Sequence, residues 1–210
     1  EVRKERVDIL MEVAERGADG LLVGCDRQVP MLLYEPAMVK EFRDKTGIDP
    51  LKIDVSHGPP YEQWIRFRAG FFTETLRELK RRLDPLRAKT GRSIPVGIRI
   101  PSAGLFINLA QGLDVETWCR ESLVDLIDLD PLEEFSAEGK HDVRPYLSLG
   151  RQYGIPVNGG IGSTAFRVSN NSVITAGLKR ARGLHRAGVD GVNTYETEVL
   201  TWTDPKRFAV

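Results

Sequence analysis

The sequence predicts an α/β fold of the (β/α) TIM-barrel type, and three observations carry that expectation. Short, nearly continuous apolar runs alternate with amphipathic segments along the chain, the pattern of parallel strands joined by helical crossovers. Two of these runs are entered alike, through Arg16-Gly-Ala-Asp-Gly20 before Leu21 and through Arg186-Ala-Gly-Val-Asp-Gly191 before Val192. No GxGxxG follows the first run, which argues against a dinucleotide-binding sheet. Five strands are legible, whereas a closed barrel takes eight. The expectation is therefore a single domain over residues 1–210 that holds only the C-terminal five or so strands and is a fragment of a longer chain. The open edges would be covered by the missing strands or by a partner copy in a homodimer.

Element by element, residues 2–16 read as an amphipathic helix with Val7, Leu10, Val13 and Ala14 on one face, stopped by Gly17. Residues 21–25 form the first strand, and Pro36 opens a helix that Gly47 ends near Lys45. Pro50, Gly58, Pro59 and Pro60 make residues 48–60 a loop. The longest helix spans 62–83, with Trp64, Phe67, Phe71, Leu76, Leu79 and Leu83 as its buried stripe. Strands follow at 94–100, 123–129, 155–157 and 189–195, with helices at 115–121, 143–153 and 173–187 between them.

The 210 residues carry 30 Lys+Arg and 30 Asp+Glu, a zero balance that argues against a nucleic-acid module. No run reaches the roughly 20 apolar residues of a membrane span. Cys25 and Cys119 are too few for a disulfide framework, and no CxxC or Cys/His cluster points to zinc. Asp128 and Asp130 lack a diagnostic ligand spacing, so no metal is assigned and no cofactor is implied. The first residue, Glu1, precedes no leader-like segment, and the compartment is not legible.

In barrels the reacting groups lie at the C-terminal ends of strands and in the loops just after them. That rule selects Asp26 and Arg27, Arg99 and Ser102, Asp128 and Asp130, and Asn158 with the Gly159-Gly160 turn. From the last strand it selects Asn193, Tyr195, Glu196 and Glu198. Carboxylates, arginines and amides on one rim suit a polyhydroxylated ligand, with Tyr195 and Trp202 offering faces for sugar C–H surfaces. Each has a blander alternative: Asp26 and Asp130 as helix or turn caps, and Asp128 as the start of a Leu-Asp-Pro turn. Glu196 has no obvious helix to cap. Cys25 reads as a buried strand residue, and His57, His141 and His185 read as surface positions. The glycines of Asn158-Gly-Gly-Ile-Gly-Ser163 also permit a backbone phosphate cradle. No Walker loop, GxSxG elbow or HExxH helix is present.

Tyr34-Glu-Pro36, Phe42-Arg-Asp-Lys-Thr-Gly47-Ile-Asp-Pro50 and Trp64-Ile-Arg-Phe-Arg68, followed by a long Leu-rich helix, resemble the glycosyl-hydrolase-like 10 family of bacterial glycosidases. Gly112-Leu-Asp-Val-Glu-Thr-Trp118, Val124-Asp125 and Gly188-Val-Asp-Gly191 continue the resemblance over most of the chain. It implies a (β/α)-barrel and a polysaccharide or glycoside substrate. One departure stands out: where such relatives read Asp-Gly-Ile-Glu-Leu-Asp-Phe-x-Arg, this chain reads Asp19-Gly-Leu-Leu-Val-Gly-Cys-Asp-Arg27. Leu22 and Gly24 thus stand at two acidic positions, and Asp26 is displaced by two residues. The expected activity is glycoside hydrolysis through a carboxylate pair, Glu196 with Asp130 or Asp26, while Arg27, Arg99, Asn158, Tyr195 and Trp202 hold the carbohydrate. The alternatives are a non-catalytic carbohydrate-binding or structural domain, and a phosphate-binding enzyme using Gly159-Gly160.

Overall fold

A computed structural model describes residues 2–26, 34–55, 58–130, 142–161 and 171–194. Five strands, β1 (Leu21–Gly24), β2 (Val96–Pro101), β3 (Leu126–Asp130), β4 (Val157–Ile161) and β5 (Gly191–Thr194), form one sheet. All pairings are parallel and the spatial order is the chain order. The helices are α1 (Val2–Glu15), α2 (Pro36–Thr46), α3 (Pro59–Thr90), α4 (Leu105–Ala110), α5 (Val115–Arg120), α6 (Arg144–Tyr153) and α7 (Asn171–Ala187). The architecture is thus mixed α/β with a wholly parallel sheet, as the alternating pattern predicts.

Because side chains alternate across a strand, the sheet has two unlike faces. One presents Ile98 and Ile100, Ile127 and Leu129, and Val157 and Ile161, buried against Leu76 of α3, Trp118 of α5, Tyr146 of α6 and Leu184 of α7. The Trp118 Nε1–H is satisfied in this core by donating to Thr73 Oγ1 at 2.9 Å. A second apolar cluster joins Val7, Met11 and Ala14 of α1 to Leu21, Leu79, Leu83 and Val96. A third packs Met38, Val39 and Phe42 of α2 on Trp64, with Phe67 and Phe71 beside them.

The aspartates just before β3 and β5 have a physical role. Asp125, just before β3, accepts a 2.8 Å bond from the Val96 amide at the start of β2. Asp190, just before β5, accepts one of the same length from the Val157 amide at the start of β4. Each carboxylate thus satisfies the first amide of the neighbouring strand, a donor that the ladder leaves over.

Several boundaries differ from the sequence expectation. The buried face of α1 is Val7, Met11 and Ala14, while Val13 is exposed, because the helix meets α3 and β1 along that line. α3 continues past Pro85 to Thr90, where Gly91 closes it in the left-handed region at φ 68°. Packing of Leu79, Leu83 and Leu86 against α1 and Ile94 outweighs the one backbone bond that Pro85 cannot donate. A 3₁₀ turn at Pro50–Lys52, capped by Asp49, interrupts the loop expected at 48–60. The short helix α4 carries too few residues to show a period and is not anticipated from sequence. β4 begins later and runs further than expected, and that shift matters for the site.

Candidate functional site

The second face of the sheet is polar at its C-terminal half. The register aligns Gly24, Arg99, Asp128, Asn158 and Gly191 in one row across all five strands. One step further along, Pro101 pairs with Asp130 and Gly160 with Asn193. Asp26 follows the end of β1, whose next residue, Cys25, donates its amide to the Arg99 carbonyl at 2.7 Å.

Arg99 stands at the centre. Its Nε lies 3.6 Å from Asp26 Oδ2, 3.7 Å from Asp128 Oδ2 and 3.4 Å from Asp130 Oδ2. Its Nη2 donates to Asn193 Oδ1 at 3.2 Å, and Asn193 Nδ2 donates to Asp128 Oδ1 at 2.5 Å. All three carboxylates are buried, Asp130 most completely at 1% exposure. Among the described residues one guanidinium faces three buried carboxylates, an imbalance that favours a retained proton. Burial, followed by a hydrogen bond to Asp26, pushes the Asp130 carboxyl up to about 7, against the opposing pull of Arg99. Burial also raises Asp128, though Arg99, Asn193 and Asn158 counteract it.

The displaced acid of the first strand reaches back. Asp26 Oδ1 lies 3.2 Å from the point where a Cβ on Gly24 would stand. Gly24 therefore leaves room for the carboxylate of Asp26 beside Arg99, in space that a side chain at position 24 would otherwise enter.

The loop after β2 is held from below. Ser102 donates its amide to the Asp130 carbonyl at 2.9 Å, and its hydroxyl lies 3.3 Å from the same oxygen. Asn108 Nδ2 donates to the Pro101 carbonyl at 3.1 Å, and the Gly104 amide donates to the Tyr146 hydroxyl at 2.9 Å. Tyr146 in turn donates to Asn108 Oδ1. This buried network anchors the strand end that carries Arg99.

Asp26, Arg99, Asp130 and Asn158, all expected from sequence, thus converge, with Asp128 and Asn193 joining them. Asp128 is a strand residue in the middle of the cluster, not turn chemistry, because β3 runs on through Asp130. Asp130 reaches Arg99 from the last position of β3. Gly159 and Gly160 are likewise inside β4, paired with Val192 and Asn193, rather than in a turn beyond it. Their amides belong to a sheet ladder, and Leu184 fills the space over Gly159. Arg27, Tyr195, Glu196, Glu198 and Trp202 lie outside the described residues, as do His57 and His141. Cys25 is buried with its thiol pushed up to about 12 by burial and then by Asp26, so it supplies no thiolate near neutrality. Among the described residues, no group of three or more His, Cys, Asp or Glu is arranged to hold a metal ion, and no helix is long and apolar enough to cross a membrane.

Gly24 is the residue sequence reasoning undervalued. Its signal was its place two residues before Asp26 on the same face of the strand, the one spacing from which a missing side chain admits its neighbour.

No protein-family model matches the chain, and no curated protein is significantly similar to it.

Proposed function

We propose that the protein is a glycoside hydrolase of the (β/α)-barrel type, with Asp130 as general acid and Glu196 as the second carboxylate. The observation that carries this reading is the convergence of Asp26, Asp128 and Asp130 on Arg99 at the strands' C-terminal ends, with Asp130 the most deeply buried and its carboxyl pushed up to about 7 by that burial. Leaving-group protonation at a glycosidic oxygen needs such an acid. The barrel assignment is supported by the strand order. Right-handed crossovers between strands adjacent in both chain and space place every helix on the same face. The polar face then turns inward, as in a barrel.

Asp26 Oδ2 and Asp130 Oδ2 stand 3.6 and 3.4 Å from the same Arg99 Nε. They act as one proton-holding unit rather than as acid and nucleophile, which leaves the second role to Glu196. Asn158 and Arg99 orient the sugar, together with Arg27, Tyr195 and Trp202. Both outer strands, β1 and β5, pair on one side alone among the described strands, which supports a homodimer or further strands covering those edges.

Hydrolysis of a broad glycoside panel by the wild type, Asp130→Asn and Glu196→Gln tests the assignment. Turnover that falls by about 10² or more in each variant, with an alkaline limb near pH 7 in the wild type, is the expected result. Turnover indifferent to Asp130→Asn overturns the acid assignment. One observation favours a second reading, a non-catalytic carbohydrate-binding domain: Arg99 already engages all three carboxylates. Sugar binding by a folded protein with no turnover on any substrate would select it.

A further inference from the structure

We infer that the exposed face of α7 is a docking site for an acidic polysaccharide, a chain of carboxylated or sulfated sugars. The inference rests on the carbohydrate reading above and extends it to the charge of the substrate.

The protein as a whole is charge-balanced, yet α7 carries Lys179, Arg180, Arg182, His185 and Arg186 and no Asp or Glu. Lys179, Arg182 and Arg186 follow one another at steps of three and four, which aligns them as a stripe on one helix face. At 1.5 Å per residue the stripe is about 10 Å long. All three are exposed. None has a hydrogen bond or ion pair with a described residue, in contrast to the earlier helices. There, Lys4 pairs with Asp8 at 2.6 Å, Lys40 with Asp44 at 2.5 Å and Arg81 with Glu78 at 2.7 Å. Of the described acids nearest in the chain, Asp190 accepts from the Val157 amide and Asp142 pairs with Arg144.

The stripe borders a groove. An open hollow of about 480 Å³ lies between Val143, at the start of α6, and α7, with Gly183 and Leu184 among its walls and Lys179 and Arg186 lining it. Arg180 ties this groove to the candidate site: its Nε donates to the Gly160 carbonyl at 2.9 Å, and Gly160 pairs with Asn193 of the carboxylate cluster. Arg180 thereby fixes α7 on the strand that neighbours the cluster.

Other polyanions fit less well. Among the described residues, none that lines the groove is a Phe, Tyr or Trp on which bases could stack. Leu184 faces the core, and the exposed stripe of Lys179, Arg182 and Arg186 is cationic rather than apolar. Sugar carboxylates or sulfates match the planar forks of Arg182 and Arg186 and the compact ammonium of Lys179.

The test is retention of the full chain on immobilised polygalacturonate, with a neutral galactan, duplex DNA and phosphatidylserine vesicles as comparisons. Retention on polygalacturonate that weakens with added salt, and falls about tenfold or more in Lys179→Gln/Arg182→Gln/Arg186→Gln, supports the inference. The three side chains are exposed, and the circular dichroism and melting of the triple variant should match the wild type. No retention, retention unchanged by the triple variant, or equal affinity for DNA or vesicles overturns it. Asp130→Asn leaves α7 untouched and should be retained like the wild type. Loss of turnover on the glycoside panel and loss of retention thus report separately on the hydrolase reading and on the docking surface.

Discussion

The two faces of the sheet are built from alternate residues of the same strands, yet they obey different energetics. On the helix-covered face, Ile98, Ile100, Ile127 and Leu129 are sealed in an apolar core. One residue away, Arg99, Asp128 and Asp130 place a guanidinium and two carboxyls on the other face at low exposure, joined by Asp26. The first face gains stability in proportion to the apolar area it removes from water. The second holds charge away from water, where each group depends on its partners. A pleated strand can serve both because its side-chain period is two.

The sharpest way to break the contrast is Arg99→Leu. It removes the cation shared by three buried carboxyls and should destabilise the protein by about 3–5 kcal/mol at pH 7. The loss should shrink at pH 4, well below the about 7 at which Asp130 takes up its proton and with Asp128 also shifted upward. Urea melts at the two pH values decide the point, and a loss independent of pH would mean that Arg99 acts through packing. On the opposite face, Ile127→Ala should cost a similar about 2–5 kcal/mol, equally at both pH values, because a cavity does not titrate.

A smaller effect isolates Asp130. The unfolded chain releases this proton near 3.8, whereas the folded protein keeps it to about 7. Between those values the unfolded state binds fewer protons, so stability falls as pH rises and levels off above about 7. Asp130→Asn should lack that decline, and parallel pH–stability curves for the two proteins would refute the raised value. Gly24→Val should push Asp26 out of its position. The Asp130 titration should then move part of the way down, read by carboxyl ¹³C shifts, with about 1 kcal/mol or less of stability lost. An unmoved titration would show that Asp26 reaches Asp130 without the space at Gly24. The smallest change is Leu22→Thr, on the exposed end of the polar face, with an expected effect within about 0.5 kcal/mol in the same melts.

Much of the fold is legible from the chain because strand and helix periods are local. The apolar runs around Ile98 and Ile127 and the glycine ending α2 announce their elements. Pro85 misleads, since a contact with α1 keeps the helix going past it, and the start of β4 misleads because Asn158, Gly159 and Gly160 look like turn residues until neighbouring strands pair with them. In the candidate site, Asp26, Arg99, Asp130 and Asn158 are legible as strand-end polar residues. Asp128 reads as turn chemistry and Asn193 as one rim residue among several, because their partners lie in strands distant in sequence.

By itself, the sequence determines the alternation of strands and helices, the placing of polar residues at strand ends, and a chain without net charge. These follow from residue type and short-range spacing. The tertiary structure alone decides the strand register that sets Arg99 beside Asp128, the reach of Asp26 over Gly24 and the proton retained on Asp130. Each of these depends on burial and on the distance between groups far apart in the chain, and neither quantity is a property of local sequence.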